Sequence, residues 1–467
     1  MESYIKHYYD NSFSLKNITL DDKKTFDALN RGLTCGVFQL ESAGMRKVIM
    51  QMKTSSLEDI IQALALYRPG PMDIIPYFIK RKFNEEEVIY PHDDLKEILK
   101  ETYGTIVYQE QIILIACKFA GYTLGRADIL RRAVSKKKKD LLEKERKSFI
   151  EASIRQGYTE NIATIIYDYI VKFADYGFNK AHSVAYAKVA YITAYLKCHY
   201  FAYYFSTLMS TFMGSSSDVL EYTKEAKSRH VEILGPSINK SSDIFTVINK
   251  EIYFPISIIR GLGNIKTSEI LEERKKGPFT SFEDFVVRTK DIIALSILEN
   301  IIYSGALDEF GLTKKAMIEN YLNIIEQSTY TFVKNVISID YTNEEYSYGV
   351  LQEKEIETIG LNIKYNFFKQ CESFYSKYNM LKISDIEANK QVRTMGIIKK
   401  IKEIETKQKE KMAFVELGDD TSNVEVVFFP KMYQESKPLK NGMILMVGGS
   451  TQKRTTLQVV ADYIKKI

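Results

Sequence analysis

YGFNKAHSVAYAKVAYITAYLKCHYFAYYFSTLM, residues 176–209, is the stretch around which the rest of the chain is organised. Gly177 leads through Asn179, Lys180, His182 and Ser183 into a long aromatic and aliphatic run. Gly177 suits the left-handed residue that closes a preceding helix, and Ser183 suits the N-cap of the next one. The run predicts a helix from Val184 to about Met209, roughly 39 Å long at about 1.5 Å per residue. Its first N–H groups carry the positive end of the helix dipole, and Lys180 and His182 sit beside that end. A fixed cation, a titratable one and a helix N-terminus together make a site for a phosphate or another anion. The same residues also fit a plainer reading, with Lys180 in a solvated loop and His182 as a capping or packing residue.

The chain has 467 residues, 45% of them hydrophobic and 27% charged, which places it among globular proteins of about three domains and away from the disordered and membrane classes. The net charge of +5 is too small over this length to establish a nucleic-acid partner, so the placement of the charge has to carry that argument. Cys35, Cys117, Cys198 and Cys371 are far apart. Without paired spacing they read as core thiols in a reducing compartment, neither a zinc ribbon nor a disulfide framework. No signal-peptide pattern opens the sequence, and Lys188, Lys197 and His199 interrupt the long apolar helix. A cytoplasmic protein with no membrane partner is the expectation.

Residues 1–30 are polar, with a short helix capped by Asp21 or Asp22. Cys35 to Leu40 reads as a strand or turn, followed by a helix carrying Met45, Val48, Ile49 and Met52 on one face. The next helix stops at Arg68-Pro69-Gly70-Pro71, because proline removes a donor and restrains the residue before it. Arg68 at that corner either caps the helix carbonyls or points into a cleft. Further helices begin near Tyr108 and Arg126, with Gly121 as a break between them. Lys136, Lys137, Lys138 and Lys139 form a basic run that is either a solvated helix face or a surface for phosphates.

A polar linker at 214–218 marks a domain edge. Phe245 to Phe254 reads as a small β piece, and Gly261-Leu262-Gly263 before a helix reads as the hairpin of a helix-hairpin-helix element, whose backbone N–H groups contact DNA phosphates. A second helical unit, residues 291–317, makes the arrangement tandem. Residues 321–390 are less regular, with 321–350 reading as an exposed connector and EIETIGLNIKYNFF (355–368) as a helix and turn. From Val392 the texture changes to five short strands with a helix between the third and fourth and turns at GDDTSN and GGSTQKRT. That is an OB-type barrel, either a single-stranded nucleic-acid binder or a packing module. Lys399, Lys400, Lys402, Lys407, Lys409 and Lys411 lie on its first hairpin.

Five motifs follow one another in order: GVFQLES (36–42), ALYRPGP (65–71), YGTIVYQEQ (103–111), GYTLGRADILRRA (121–133) and YGFNKAHSVAYA (176–187). Together they resemble the C-terminal half of the bacterial replicative DNA polymerase III alpha subunit. The resemblance implies a multidomain, mainly α fold followed by an all-β OB-type barrel. Its implied parts are a remnant of the palm edge (1–30), fingers (31–213), a tandem helix-hairpin-helix region (214–320), a clamp-binding connector (321–390) and an OB domain (391–467). It implies that Arg68, Lys180 and His182 bind the triphosphate of an incoming deoxynucleotide, with Tyr108, Gln109 and Arg132 lining the same cleft. DNA would be held by Lys136 to Lys139, Gly261, Gly263, Lys399 and Lys400. The implied partners are primer-template DNA, deoxynucleoside triphosphates, the sliding clamp and other replicase subunits. The clamp peptide is matched by Gln327, Tyr330 and Phe332.

Departures from the family pattern shape the functional expectation. The family's chemistry uses palm carboxylates on Mg²⁺, two of them in an Asp-x-Asp pattern, and no Asp-x-Asp occurs in this sequence. The implied Mg²⁺ therefore has no ligands here, no catalytic residue is assigned to this chain, and the chain alone is expected to be inactive in nucleotidyl transfer. Ser135 replaces a usual Gly, and Tyr365-Asn366 replaces a usual His-Pro. The leading expectation is the nucleotide- and DNA-holding portion of a polymerase; the alternative is a non-catalytic DNA-binding or clamp-associated accessory protein.

Overall fold

The computed structural model describes residues 1–135, 139–173, 177–330, 339, 341–406, 408, 410–453 and 457–467. They form two compact units, Met1–Tyr204 and Phe205–Ile467.

The first unit is helical, and its helices start where the sequence offers caps. Asp22 caps Lys23–Asn30 by accepting from the Thr25 N–H at 2.8 Å. Ser42 caps Ala43–Met52, which buries the expected Met45, Val48, Ile49 and Met52. Ser56 and Asp59 form a reciprocal capping box on Leu57–Leu66. Ala187, Ala190, Tyr191 and Ala194, spaced as one helical face, join the core built on Ile60, Ala63 and Leu66. Small side chains at three of those four positions let the helix Lys180–His199 lie close against Leu57–Leu66. A second core gathers Phe119, Leu130, Phe149 and Tyr167 around the helices Gln109–Ala120, Leu124–Ser135, Lys139–Arg155 and Glu160–Phe173.

The organising stretch differs from the sequence expectation at Gly177, which is not in the left-handed region, and in both ends of its helix. The helix starts at Lys180, with Asn179 as N-cap accepting from the His182 N–H at 2.8 Å. Ser183 lies inside the first turn, buried, and its hydroxyl donates to the Ile61 carbonyl at 2.7 Å. The helix also ends at His199, and a second one, Phe201–Thr211, follows. Between them Tyr200 leaves helical geometry at φ −131°, with its ring edge-on to Tyr9 and Phe13. Those aromatic contacts come from residues nearly two hundred positions away, which a window of local sequence does not contain.

In the second unit, β1 (Ile233–Leu234), β2 (Thr246–Ile248) and β3 (Glu251–Tyr253) form a small sheet in the order β1-β3-β2. Asn249 and Lys250, both at positive φ, make the turn between β2 and β3. A single 3₁₀ turn, Ile256–Ile258, leads through Gly261 to the helix Asn264–Lys275. Around a core of Phe282, Phe285, Leu298 and Ile302 stand the helices Phe282–Thr289, Leu295–Tyr303 and Lys314–Tyr330. Residues 321–330, expected to begin an exposed connector, continue that last helix because Tyr321 and Ile324 are buried in the core.

The barrel is closed and five-stranded: β4 (Gln391–Glu405), β5 (Lys411–Gly418), β6 (Asn423–Phe428), β7 (Ile444–Lys453) and β8 (Leu457–Lys466), in the order β4-β5-β6-β8-β7. Antiparallel pairing of β4 with β7 closes it, β6 and β8 run parallel, and the helix Pro430–Ser436 lies between the third and fourth strands, as expected. One expectation fails locally. The glycines of GGSTQKRT are not a turn but lie within β7, where a bulge at Gly448/Gly449 brings Gly449 so close to β8 that an added Cβ would sit 2.0 Å from the Val460 carbonyl oxygen.

Candidate functional site

Two segments distant in sequence are zipped together in the first unit. The Phe178 N–H donates to the Val107 carbonyl and the Gln109 N–H donates to the Phe178 carbonyl, each at 2.9 Å. A Cβ on Gly177 would lie 3.2 Å from Gln109 Cγ and 3.4 Å from its Cα, so close backbone approach is what the glycine serves. The zipper places Phe178, and one turn of helix later His182, beside the proline corner that carries Arg68.

Arg68 does both things its sequence position allowed. Its Nε donates to the Ala65 carbonyl at 2.9 Å, capping Leu57–Leu66, and its guanidinium lies 4.2 Å from the Phe178 ring centroid. Burial lowers its pKa from the usual arginine value. Arg68 and His182 line one cavity of about 700 Å³, together with Phe38, Gln39, Phe178 and Tyr186. The His182 ring lies tilted against Tyr186 at 4.2 Å between centroids, and Tyr186 meets Phe38 at 5.3 Å. A cation beside aromatic faces in an open cavity of this size suits an anionic ligand that carries a flat ring.

Lys180 stands elsewhere. Its Nζ pairs with Glu101 at 2.6 Å and lies 5.0 Å from the Tyr108 ring, while its backbone N–H is taken by Glu110. The N-terminus of Lys180–His199 thus already holds an anion, the chain's own Glu110. Tyr108 is fully buried, its hydroxyl donates to Glu58 at 3.2 Å, and burial pushes its pKa well above the usual phenol range. Gln109 accepts from Arg131 at 3.1 Å. Arg132 extends from the surface to pair with Asp128 at 2.8 Å. Of the two arginines, Arg131 is the one turned toward the zipper, whereas the resemblance had pointed to Arg132. A helical-face count does not choose between adjacent residues without knowing which face is inward.

In the second unit Gly261 adopts φ +85°, and Gly263 is the N-cap of Asn264–Lys275. Nothing lies within 4 Å of a Cβ built on Gly263, so space outside that backbone is open. On the barrel, the register slips between Ile398 and Lys400, which leaves Lys399 as the extra residue of a bulge, and Lys400 faces Glu416 across β4 and β5. Both lysines are exposed. Gln327 is exposed on the helix Lys314–Tyr330, which Tyr330 ends; Phe332 and Lys136, Lys137 and Lys138 lie outside the described residues, and Lys139 begins the helix Lys139–Arg155.

Among the described residues, no group of three or more His, Cys, Asp or Glu side chains could hold a metal ion, so the Mg²⁺ implied by the resemblance is given no ligands by them. Nor is any described helix long and apolar enough to cross a membrane.

Residues 1–157 match the profile of the bacterial DNA polymerase III alpha subunit finger domain, 230–317 a helix-hairpin-helix motif and 392–467 an OB-fold nucleic acid binding domain. The DNA polymerase III subunit alpha of Bacillus subtilis (strain 168) is 39% identical over 459 residues. That match spans 94% of this chain and 41% of the relative. Over nearly its whole length the chain is similar to part of a DNA polymerase III alpha subunit. Alpha subunits of Staphylococcus epidermidis (strain ATCC 12228 / FDA PCI 1200) and Borreliella burgdorferi are 37% and 36% identical, over 98% and 97% of this chain and 44% and 42% of their own length. The chain therefore spans less than half the length of these relatives. The alpha-subunit match covers both units, and the profiles fall on the Arg68 corner, the Gly261–Gly263 hairpin and the closed barrel in that order.

Proposed function

We propose that this chain is the nucleotide- and DNA-holding part of a DNA-directed DNA polymerase alpha subunit. The observation that carries the proposal is Arg68, which lies within the finger-domain match and stands over the Phe178 ring beside His182 in one open cavity. There Arg68 neutralises the phosphates of an incoming deoxynucleoside triphosphate, and Lys180 joins it by exchanging Glu101 for a phosphate oxygen. Charge compensation at leaving pyrophosphate is the contribution such cations make to phosphoryl transfer. The open backbone at Gly263 and the exposed Lys399 and Lys400 hold primer-template DNA through its phosphates. The carboxylates that bind Mg²⁺ in the complete polymerase belong outside this sequence, and the sliding clamp engages the region of Gln327, Tyr330 and Phe332 within a cytoplasmic replicase.

Calorimetric titration of the chain with deoxynucleoside triphosphate tests the first half: Arg68→Ala is expected to abolish binding, and unchanged affinity would refute the assignment. Replacing Lys399 and Lys400 by Ala is expected to reduce the salt slope of DNA binding by about 2. Primer extension by the chain alone is expected to give no product, and measurable synthesis would show that the chemistry is present after all. The absence of Asp-x-Asp favours, as a second reading, a DNA-binding accessory protein. That reading predicts retention of DNA binding with no affinity for nucleotides.

A further inference from the structure

The turn Val37-Phe38-Gln39-Leu40 forms one wall of the Arg68 cavity. It is closed by the Leu40 N–H donating to the Val37 carbonyl at 3.0 Å, and its flanking residues Val37 and Leu40 are fully buried. Gln39 occupies the third position of this turn at φ +62°. Positive φ at that position strongly favours glycine, then asparagine, because a Cβ crowds the backbone there. Elsewhere in the described chain, residues other than glycine and asparagine at positive φ close or follow helices, as do Lys53, Tyr103 and His230, or, like Lys250, turn a β-hairpin. Gln39 does neither.

The side chain returns nothing to the fold for this strain. Gln39 is exposed, and among the described residues it has no hydrogen-bond partner. The turn itself is held firmly by the organising stretch. Thr193 accepts from the Phe38 N–H at 3.2 Å, the buried Lys197 donates to the Cys35 and Leu33 carbonyls at 2.7 and 3.1 Å, and the Tyr204 hydroxyl donates to the Gly36 carbonyl. A strained residue, fixed by its surroundings, with a free amide facing a cavity, is an arrangement that serves a ligand.

We infer that Gln39 is a specificity-determining residue that hydrogen-bonds the sugar or the base of the nucleotide held between Arg68 and the aromatic wall. This rests on the nucleotide reading above. A neutral amide offers both a donor pair and an acceptor, which suits a hydroxyl or a base edge, whereas the phosphates have Arg68.

The test uses the whole 467-residue chain, with thermal unfolding and calorimetric titration of the four deoxynucleoside triphosphates and their dideoxy forms. Gln39→Gly removes the amide and relieves the backbone, so its unfolding temperature is expected to equal or exceed that of the unsubstituted chain while Kd rises about fivefold to tenfold. Gln39→Ala keeps the strain and is expected to lose the same affinity. If the contact is to the 3′-hydroxyl, dideoxy forms bind Gln39→Gly and the unsubstituted chain equally. A base contact instead preserves the penalty for dideoxy forms and makes it differ among the four bases. Unchanged nucleotide affinity in Gln39→Gly, with binding lost in Arg68→Ala, would overturn the role of Gln39 and leave the nucleotide site standing. If Arg68→Ala binds like the unsubstituted chain, the nucleotide reading falls and this inference falls with it.

Discussion

The backbone N–H of Lys180 donates to both carboxylate oxygens of Glu110, at 3.2 and 3.1 Å, and the Asn179 amide donates to the same carboxylate at 3.0 Å. Glu110 thereby ties the start of Lys180–His199 to the helix Gln109–Ala120, with its negative charge at the positive end of the helix dipole. Glu110→Ala is expected to lower stability by about 1–2 kcal/mol in urea unfolding. No loss would mean that the zipper at Phe178 holds the segment without it.

Lys180→Ala is expected to weaken nucleotide binding while leaving DNA binding nearly unchanged. Its partner Glu101 is exposed enough to be rehydrated when the lysine is removed, so the fold loses at most about 1 kcal/mol. Equal loss of nucleotide and DNA binding would assign Lys180 a structural role.

Acid sensitivity is expected at Asp22. Burial raises its pKa, but hydrogen bonds from His199, the Thr25 hydroxyl and the Thr25 N–H outweigh burial and hold the carboxyl below its usual range. A depressed folded-state pKa contributes stability that is complete above about pH 3.9 and is lost as pH falls through the folded value. Asp22→Asn is expected to be less stable than the unsubstituted chain by about 0.5–1 kcal/mol near neutral pH, with the gap closing in acid. Paired urea titrations across pH check the direction.

Gly261 and Gly263 separate two reasons for glycine. Gly261→Ala meets both a positive φ and Ile297 Cγ1 at 3.3 Å, and is expected to cost about 1–2 kcal/mol. Gly263 has an ordinary φ of −65° and open space, so Gly263→Ala is expected to leave stability nearly unchanged and to weaken DNA binding by obstructing phosphate approach. Fluorescence anisotropy with labelled duplex reads the second effect, and unchanged DNA affinity would remove Gly263 from the interface.

Gly449→Ala places a methyl group against the Val460 carbonyl, which is main chain and cannot swing aside. The substitution is expected to destabilise the barrel by about 3 kcal/mol or more, measured by circular dichroism during urea unfolding. A small effect would show that the β7 bulge relaxes freely.

Local chemistry made much of the fold legible. The helix face carrying Met45, Val48, Ile49 and Met52, the proline corner after Leu66, Gly121 as a helix break and the alternating strands after Val392 each act over a few residues, so each could be read from a few residues. Misplaced features depended on distant partners. Tyr200 breaks its helix against Tyr9 and Phe13, Tyr321 and Ile324 draw an expected connector into a helical core, and Gly449 sits inside a strand because β8 passes so close.

The same division runs through the candidate site. By itself the sequence determined the mainly helical class, the five-strand barrel and the motifs that carry Arg68, Lys180 and His182, because propensity, capping and alternation are short-range. Only the tertiary structure decided how those residues are grouped. It joined Arg68 and His182 in one cavity, turned Lys180 toward Glu101 and filled its helix N-terminus with Glu110. It also brought Gln39 into view, because a cavity wall and a backbone angle are set by what packs around a residue and not by its neighbours in the chain.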